Sequence, residues 1–204
     1  MLRHLSDQEH YMRTAVIKTA KTRIAAAMLL AFVSGASQAA DYVIDGTGGG
    51  MHSSVNFVAS HVGISDLWGR FNDISGTFTY DPANVAASAI SVKIDPASLD
   101  TNHEARDAHL KTADYLDVAK FPDAGFVSTM VHDLGDGKFH VTGNFTLHGV
   151  TKEIAFEATK TGEGETPFGD YRVGFEAETM LNLPDYGVNA GELTLHLAVE
   201  GVRQ

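Results

Sequence analysis

Residues Thr101–Pro122, TNHEARDAHLKTADYLDVAKFP, hold the one convincing helical segment beyond residue 39. Thr101 and Glu104 have the spacing of a capping box, which predicts a helix from Asn102 to about residue 118. Arg106, Leu110 and Ala113 recur at i, i+4, i+7 on one narrow face, and Asp107 and Lys111 form a favourable i, i+4 pair. A helix this weakly apolar must dock Leu110 and the stem of Arg106 against something larger. At Phe121-Pro122 the proline turns the chain extended again. Everything on either side reads as strand and turn, so the fold class is all-β with one short helical insert.

Outward from that segment, apolar and polar residues alternate with period two between Gly, Asp, Asn and Pro clusters. Val55, Phe57, Ala59 and His61 share a face of Ser54 to His61, as do Ile74, Gly76, Phe78 and Tyr80 of Ile74 to Tyr80. Ile90, Val92 and Ile94 follow the same rule. Ala124 to Asp133 does not, because Phe126 and Met130 fall on one face and Val127 and Val131 on the other. Asp136-Gly137 signals a hairpin, and His148-Gly149 another turn. The later runs place Phe139, Val141, Phe145 and Leu147, then Ile154, Phe156 and Ala158, on single faces. Tyr171, Val173, Phe175, Ala177, Thr179 and Leu181 come next, and finally Leu193, Leu195, Leu197 and Val199. These make about eight strands, most with one apolar face. One short helix cannot cover such a sheet, so it folds onto itself as a barrel or a sandwich. Charged outward faces exclude an outer-membrane barrel, whose outer band is apolar.

Large inward rings alternate with small inward residues such as Ala59, Gly76, Ser128, Gly143, Ala158, Ala177 and Thr179. Either the small residues leave a cavity that takes one ligand, or they make room for neighbouring rings.

The ends of the chain set the compartment and the excluded classes. Lys21 and Arg23, the apolar run Ile24 to Val33 and the small residues Ser37 and Ala39 are the order of a secretory signal cut near Ala39-Ala40. The preceding stretch is long, and Met12 is an alternative start. Residues 1–39 are thus a signal peptide and 40–204 one domain, with no membrane-spanning segment left in the mature chain. Residues 1–39 carry five Lys/Arg and two Asp/Glu, so the formal charge of −11 becomes −14 without them. That charge repels nucleic acid and anionic membrane surfaces. With no cysteine there is no thiolate nucleophile, disulfide or Cys-ligated metal.

Motifs for catalysis are weak. Gly46-x-Gly48 lacks the third glycine of a dinucleotide fingerprint and reads as a loop leading into Gly48-Gly49-Gly50. His103 and His109 are six apart, on different faces of a helix, and read as solvated residues rather than metal ligands. No nucleophile elbow is present. Two polar residues stand out instead. His61 ends a strand on the apolar register, where it either accepts a structural hydrogen bond near a barrel mouth or touches a ligand. Arg106 projects toward the sheet, either to pair with a carboxylate or to meet the polar head of something whose tail goes inside.

The run from about Tyr42 to Val202 resembles the YceI-like, polyisoprenoid-binding family of secreted bacterial proteins. The resemblance rests on Tyr42-x-Ile44-Asp45, His52-Ser53-x-x-x-Phe57, His61-x-Gly63, Gly69-x-Phe71 and Gly76. It continues through Thr101, Arg106-Asp107-x-His109-Leu110, Phe121-Pro122 and Phe126. Gly143-x-Phe145-Thr146-x-His148-Gly149-Val150-Thr151, Gly174-Phe175 and Asp185-Tyr186-Gly187 complete it. It implies a lipocalin-like, extended, antiparallel eight-stranded barrel in the periplasm that binds an isoprenoid quinone or polyprenyl lipid. Phe57, Phe78, Phe126, Phe145, Phe156, Tyr171 and Phe175 would line the interior, and His61 and Arg106 would lie nearer its mouth. No cofactor and no catalytic residue is expected, and a second copy of the chain is the other candidate partner. The competing readings are a lipid-acting enzyme with His61 as base, and a solid-core interaction protein using the helix or the Gly162–Gly169 loop. The chain departs from the family where Asn182-Leu183-Pro184 stands in place of a usual arginine.

Overall fold

The computed structural model describes residues 39–46 and 52–204. The signal-peptide expectation for 1–39 and the Gly48–Gly50 lead-in therefore lie outside the described residues, save for Ala39. The strands are β1 (Ala40–Ile44), β2 (Ser54–His61), β3 (Ser65–Phe71), β4 (Ile74–Tyr80), β5 (Ile90–Ile94), β6 (Leu99–Asp100), β7 (Ala124–Gly135), β8 (Lys138–Leu147), β9 (Val150–Glu165), β10 (Tyr171–Asn182) and β11 (Glu192–Arg203). One helix, α1 (Glu104–Leu110), lies between β6 and β7.

Eight of the strands close a ring in the order β1-β4-β5-β7-β8-β9-β10-β11, with β1 pairing back onto β11. All the pairings are antiparallel. The barrel closes over only part of its height, because β11 divides its free edge between two partners. Gly201–Arg203 pair with β1, whereas Leu193–Ala198 pair with β2. From β2 the sheet runs on through β3 to the two-residue β6 as a flap. Ser53 seals the point where β11 changes partner. Its hydroxyl accepts from Glu200 N at 2.8 Å and donates to Glu200 O at 3.1 Å. The Glu200 carbonyl also accepts from Asp45 N at 2.9 Å, so the hydroxyl joins the backbone of both neighbouring segments at this point.

The period-two faces point where their alternation places them: Tyr42, Ile44, Val55, Phe57, Phe78, Val141, Phe145, Val173 and Leu195 are all buried. The ambiguous run Ala124 to Asp133 is a strand whose phase changes at a β-bulge between Ser128 and Met130. The extra residue turns Phe126 and Val131 inward together and leaves Val127 and Met130 exposed. Both hairpin turns flanking β8 have positive φ at their two central residues, Asp136-Gly137 and His148-Gly149.

The helix is shorter than the expected 102–118. Asn102 is left-handed at φ 61, its N–H held by the Asp100 carboxylate at 2.8 Å, so a helix cannot begin there. His103 is the N-cap, with Nδ1 accepting from Arg106 N, and the Thr101 hydroxyl bonds Asp107 and Arg106 instead of Glu104. The helix ends at Leu110, and the Thr112 hydroxyl donates to the His109 carbonyl at 2.8 Å. Residues 111–121 continue as a chain of turns, so Ala113 lies outside the helix.

Candidate functional site: two stacked cavities

The barrel axis carries two cavities. The first, about 140 Å³, lies within the strand ring and is lined by Phe78, Tyr80, Phe126, Phe139, Phe145, Phe156 and Phe175 together with Ala158, Ala177 and Thr179. Phe175 is its hub, edge-on to Phe78 at 5.7 Å, Tyr80 at 5.6 Å and Phe139 at 5.9 Å. Each such pair adds about 0.5–1.5 kcal/mol beyond its buried area.

The second cavity, about 190 Å³, sits toward the end where β11 pairs with β2. Its walls are Phe57, Ala59, Leu67, Phe71, Leu181, Leu183 and Leu193, and the segment from Arg106 to Leu116 covers it with Arg106, Leu110, Tyr115 and Leu116. Val55, Ile94, Phe145 and Leu195 line both cavities. All four are buried, one each from β2, β5, β8 and β11, and they form a waist between the chambers.

The small inward residues answer the question they raised in both ways. Ala158, Ala177, Thr179 and Ala59 border open volume. Gly143, in contrast, makes room for a ring: a Cβ there would lie 2.4 Å from Phe126 Cζ. Gly69 does the same for Phe57, and Gly201 for Phe78.

Among the described residues Arg106 is the one charged residue on the wall of the second cavity. Its guanidinium is aimed by Thr101, donating from Nε to the hydroxyl and from Nη2 to the carbonyl, both at 2.7 Å. No carboxylate lies within 4.0 Å of it among the described residues, so the simple ion-pair role is not the one it takes. Asp107 reaches it only through the Thr101 hydroxyl. Leu183, in the stretch that departs from the family pattern, supplies apolar wall here.

Of the residues expected to form the interior, Phe78, Phe126, Phe156 and Phe175 line the first cavity, Phe57 lines the second and Phe145 lines both. Tyr171 lines neither. It begins β10 where the ring is closed by β1, and the Arg203 guanidinium lies 5.3 Å over its ring. His61 also lines neither cavity and is exposed. The inward register of β2 continues to it, but β11 stops pairing at Ala59, so Ser60 and His61 pair with β3 alone.

A second polar constellation, not visible in the sequence, sits on the outside of the wall at the closed end. Arg172 donates from Nη1 to Asp45 and to Glu200, both at 2.6 Å, and grips Asp170 with Nε and Nη2 at 2.9 and 2.8 Å. His52 Nδ1 lies 2.9 Å from Asp45. Burial alone would raise the Asp45 pKa, but hydrogen bonds from His52 and Arg172 hold it below the usual carboxylate value. Arg172 and Thr166 hold Asp170 low, while hydrogen bonding to Asp45 raises His52. Asp45, His52 and Glu200 have ligand atoms within 4.8 Å of one another, but the cation they surround is the Arg172 guanidinium. The cluster ties the end of β1 to β10 and β11 and is a clasp.

Comparison with known proteins fits this architecture. Residues 42–202 match the family model described as YceI-like domain. A UPF0312 protein of Shewanella sp. (strain MR-7) is 45% identical over 192 residues, 90% of this chain and 100% of its own length. A YCEI protein of Campylobacter jejuni superposes with a TM-score of 0.64 at 27% identity, over 72% of this chain and 90% of that one. A polyisoprenoid binding domain from Saccharophagus degradans does so with a TM-score of 0.60 at 17% identity, over 82% and 100%.

Proposed function

Since the chain belongs to the YceI-like domain family, we propose that its barrel binds an isoprenoid quinone or polyprenyl lipid and stores or carries it through the periplasm. The observation that carries the reading is the pair of apolar cavities stacked along one axis, with a single oriented guanidinium on the wall of one of them. Each methylene of a lipid tail taken from water is worth about 0.8 kcal/mol. A lined tube inside an anionic shell harvests that energy while staying dispersed in water. The tail occupies the aromatic first chamber, and the head meets Arg106, whose charge-assisted bonds suit a quinone carbonyl or a phosphate oxygen. The relative described as a polyisoprenoid binding domain supports the ligand class.

Size sets a condition on this reading. A cavity of roughly 150 Å³ holds one benzene, so each chamber as it stands seats about one isoprene unit. A longer tail must pass between Val55, Ile94, Phe145 and Leu195, and the waist has to part as it enters. Binding rather than turnover is the proposed role, because His61, the candidate base, stands away from both chambers. The periplasmic address rests on the signal-like order of residues 21–39.

Native mass spectrometry tests the reading. The protein as isolated should carry a co-purified lipid, or take up ubiquinone offered in detergent at one molecule per chain. A clean apo mass with no uptake overturns it. His61→Ala should leave uptake unchanged.

A further inference from the structure

The β2–β3 hairpin ends in a turn whose chemistry serves neither the fold nor the cavities. Val62 and Gly63 are its central residues, with φ 49 and 72, and Ile64 N closes the turn on His61 O at 3.0 Å. Both central positions need positive φ, which suits Gly, and Asn, Asp or His better than other residues, and is costly for a β-branched one. The two comparable turns of this chain comply, with Asp136-Gly137 and His148-Gly149. Here a valine is held in the unfavourable region and buries nothing in return, being 76% exposed beside Ile64 at 82%. Trp68, the only tryptophan in the chain, is 60% exposed on the outer face of β3 and stacks on His196 at 5.5 Å.

Charge, shape and position identify the partner. Ser60–Ser65 contain no Asp, Glu, Lys or Arg, on a domain whose formal charge is −14 without residues 1–39. Beyond Ala59 the hairpin is paired only with itself, so its tip projects as a finger past the end of β11 pairing. A flat protein face would meet such a finger poorly, but a bilayer admits a narrow apolar tip with an amphipathic indole behind it at headgroup level. The Ala59–Leu67 pair just behind the tip lines the second cavity, about three residues or 10 Å of strand from Val62.

We propose that the Ser60–Ser65 tip docks this protein on a phospholipid bilayer by inserting Val62 and Ile64, which sets the second cavity against the membrane. The proposal builds on the lipid-binding reading, since a bilayer is where such a cargo resides. Docking itself needs no cargo. Because the tip is neutral and the domain acidic, attachment is to zwitterionic surfaces, and added anionic lipid weakens it.

The test is flotation of the protein as isolated with ubiquinone-free phosphatidylcholine vesicles, with Trp68 fluorescence read on the same samples. Wild type should float and its emission should shift to the blue. Val62→Asn/Ile64→Asn should lose at least tenfold in vesicle affinity, while Val62→Asn alone should raise the unfolding midpoint, since asparagine accepts the left-handed position. Replacing a third of the lipid by phosphatidylglycerol should weaken wild-type binding. The proposal is overturned if wild type stays with the buffer, if the double variant floats equally well, or if the tip substitutions merely dissociate a dimer. Ubiquinone uptake from detergent is measured in parallel. Normal uptake with no flotation sinks the docking alone, and flotation with no uptake sinks the cargo reading alone.

Discussion

Arg172 and Arg106 sit in the same acidic chain and have opposite surroundings. Arg172 is gripped by Asp45, Asp170 and Glu200 on the outer wall at the closed end. Arg106 faces an apolar cavity at the other end, aimed by Thr101 and paired with no carboxylate among the described residues. The contrast separates a side chain that ties strands together through ion pairs from one held by a neighbour's hydroxyl and carbonyl on an apolar wall, and it extends to the regions around them. One end is cross-linked by charge, and the other is covered by a short helix, turns and a hairpin flap.

The harshest way to break this division is to remove the layer between the ends. Phe145 is buried, lines both cavities and packs edge-on to Tyr186 at 5.6 Å. Phe145→Ala should cost about 3–5 kcal/mol in urea denaturation. A loss below about 1 kcal/mol would mean that the chambers are not divided by packed side chains.

Exchanging each arginine for methionine keeps the stem and removes the charge. Arg172→Met leaves three carboxylates crowded together and should destabilise by about 2 kcal/mol, between the values for exposed and for buried pairs. Arg106→Met should change stability by less than about 1 kcal/mol yet weaken ubiquinone binding about tenfold, the loss of one charge-assisted hydrogen bond. Equal effects of the two substitutions on stability and on binding would erase the distinction between the ends.

Much of the barrel was legible because period-two alternation is a direct imprint of one buried face. Ser54–His61, Ile74–Tyr80 and Ile90–Ile94 coincide with β2, β4 and β5. What stayed hidden had local causes. Gly69 blanks an inward position of β3 and interrupts its pattern, although Leu67 and Phe71 were available as a signal. The bulge in β7 reversed the phase midway. The capping box failed because Asp107, six residues along, outbid Glu104 for Thr101. Arg106 could be singled out from its helical face. The Arg172 clasp could not, since Asp45 and Arg172 are 127 residues apart and nothing local announces their meeting.

Acid should loosen the clasp. The folded pKa values of Asp45 and Asp170 lie below the ordinary 3.8, so the stability they contribute is complete above that value and is lost as pH falls through the folded values. His52 shifts the other way. Raised above 6.5 by Asp45, it contributes fully below that pH and fades as pH rises through its folded value. Urea midpoints should therefore fall below pH 4 and decline gently above about pH 7. Arg172→Met should flatten the acid limb, and an unchanged limb would place the acid-sensitive carboxylates elsewhere.

The smallest expected effect asks whether the first chamber is hollow. Ala177 borders it from β10, opposite Ala158 of β9 in the ladder. Ala177→Val adds two methyl groups to a void of about 140 Å³. Each buried methylene is worth about 0.8 kcal/mol, and the stiff β-branched side chain returns part of that in crowding of its neighbours. The variant should thus unfold within about 1 kcal/mol of wild type, on the stable side, while binding less lipid because the tail has lost room. In a filled core the same two methyl groups would have nowhere to go and would cost about 1–3 kcal/mol. The sign of the change in stability, read beside the change in uptake, decides between a chamber and a gap in the packing.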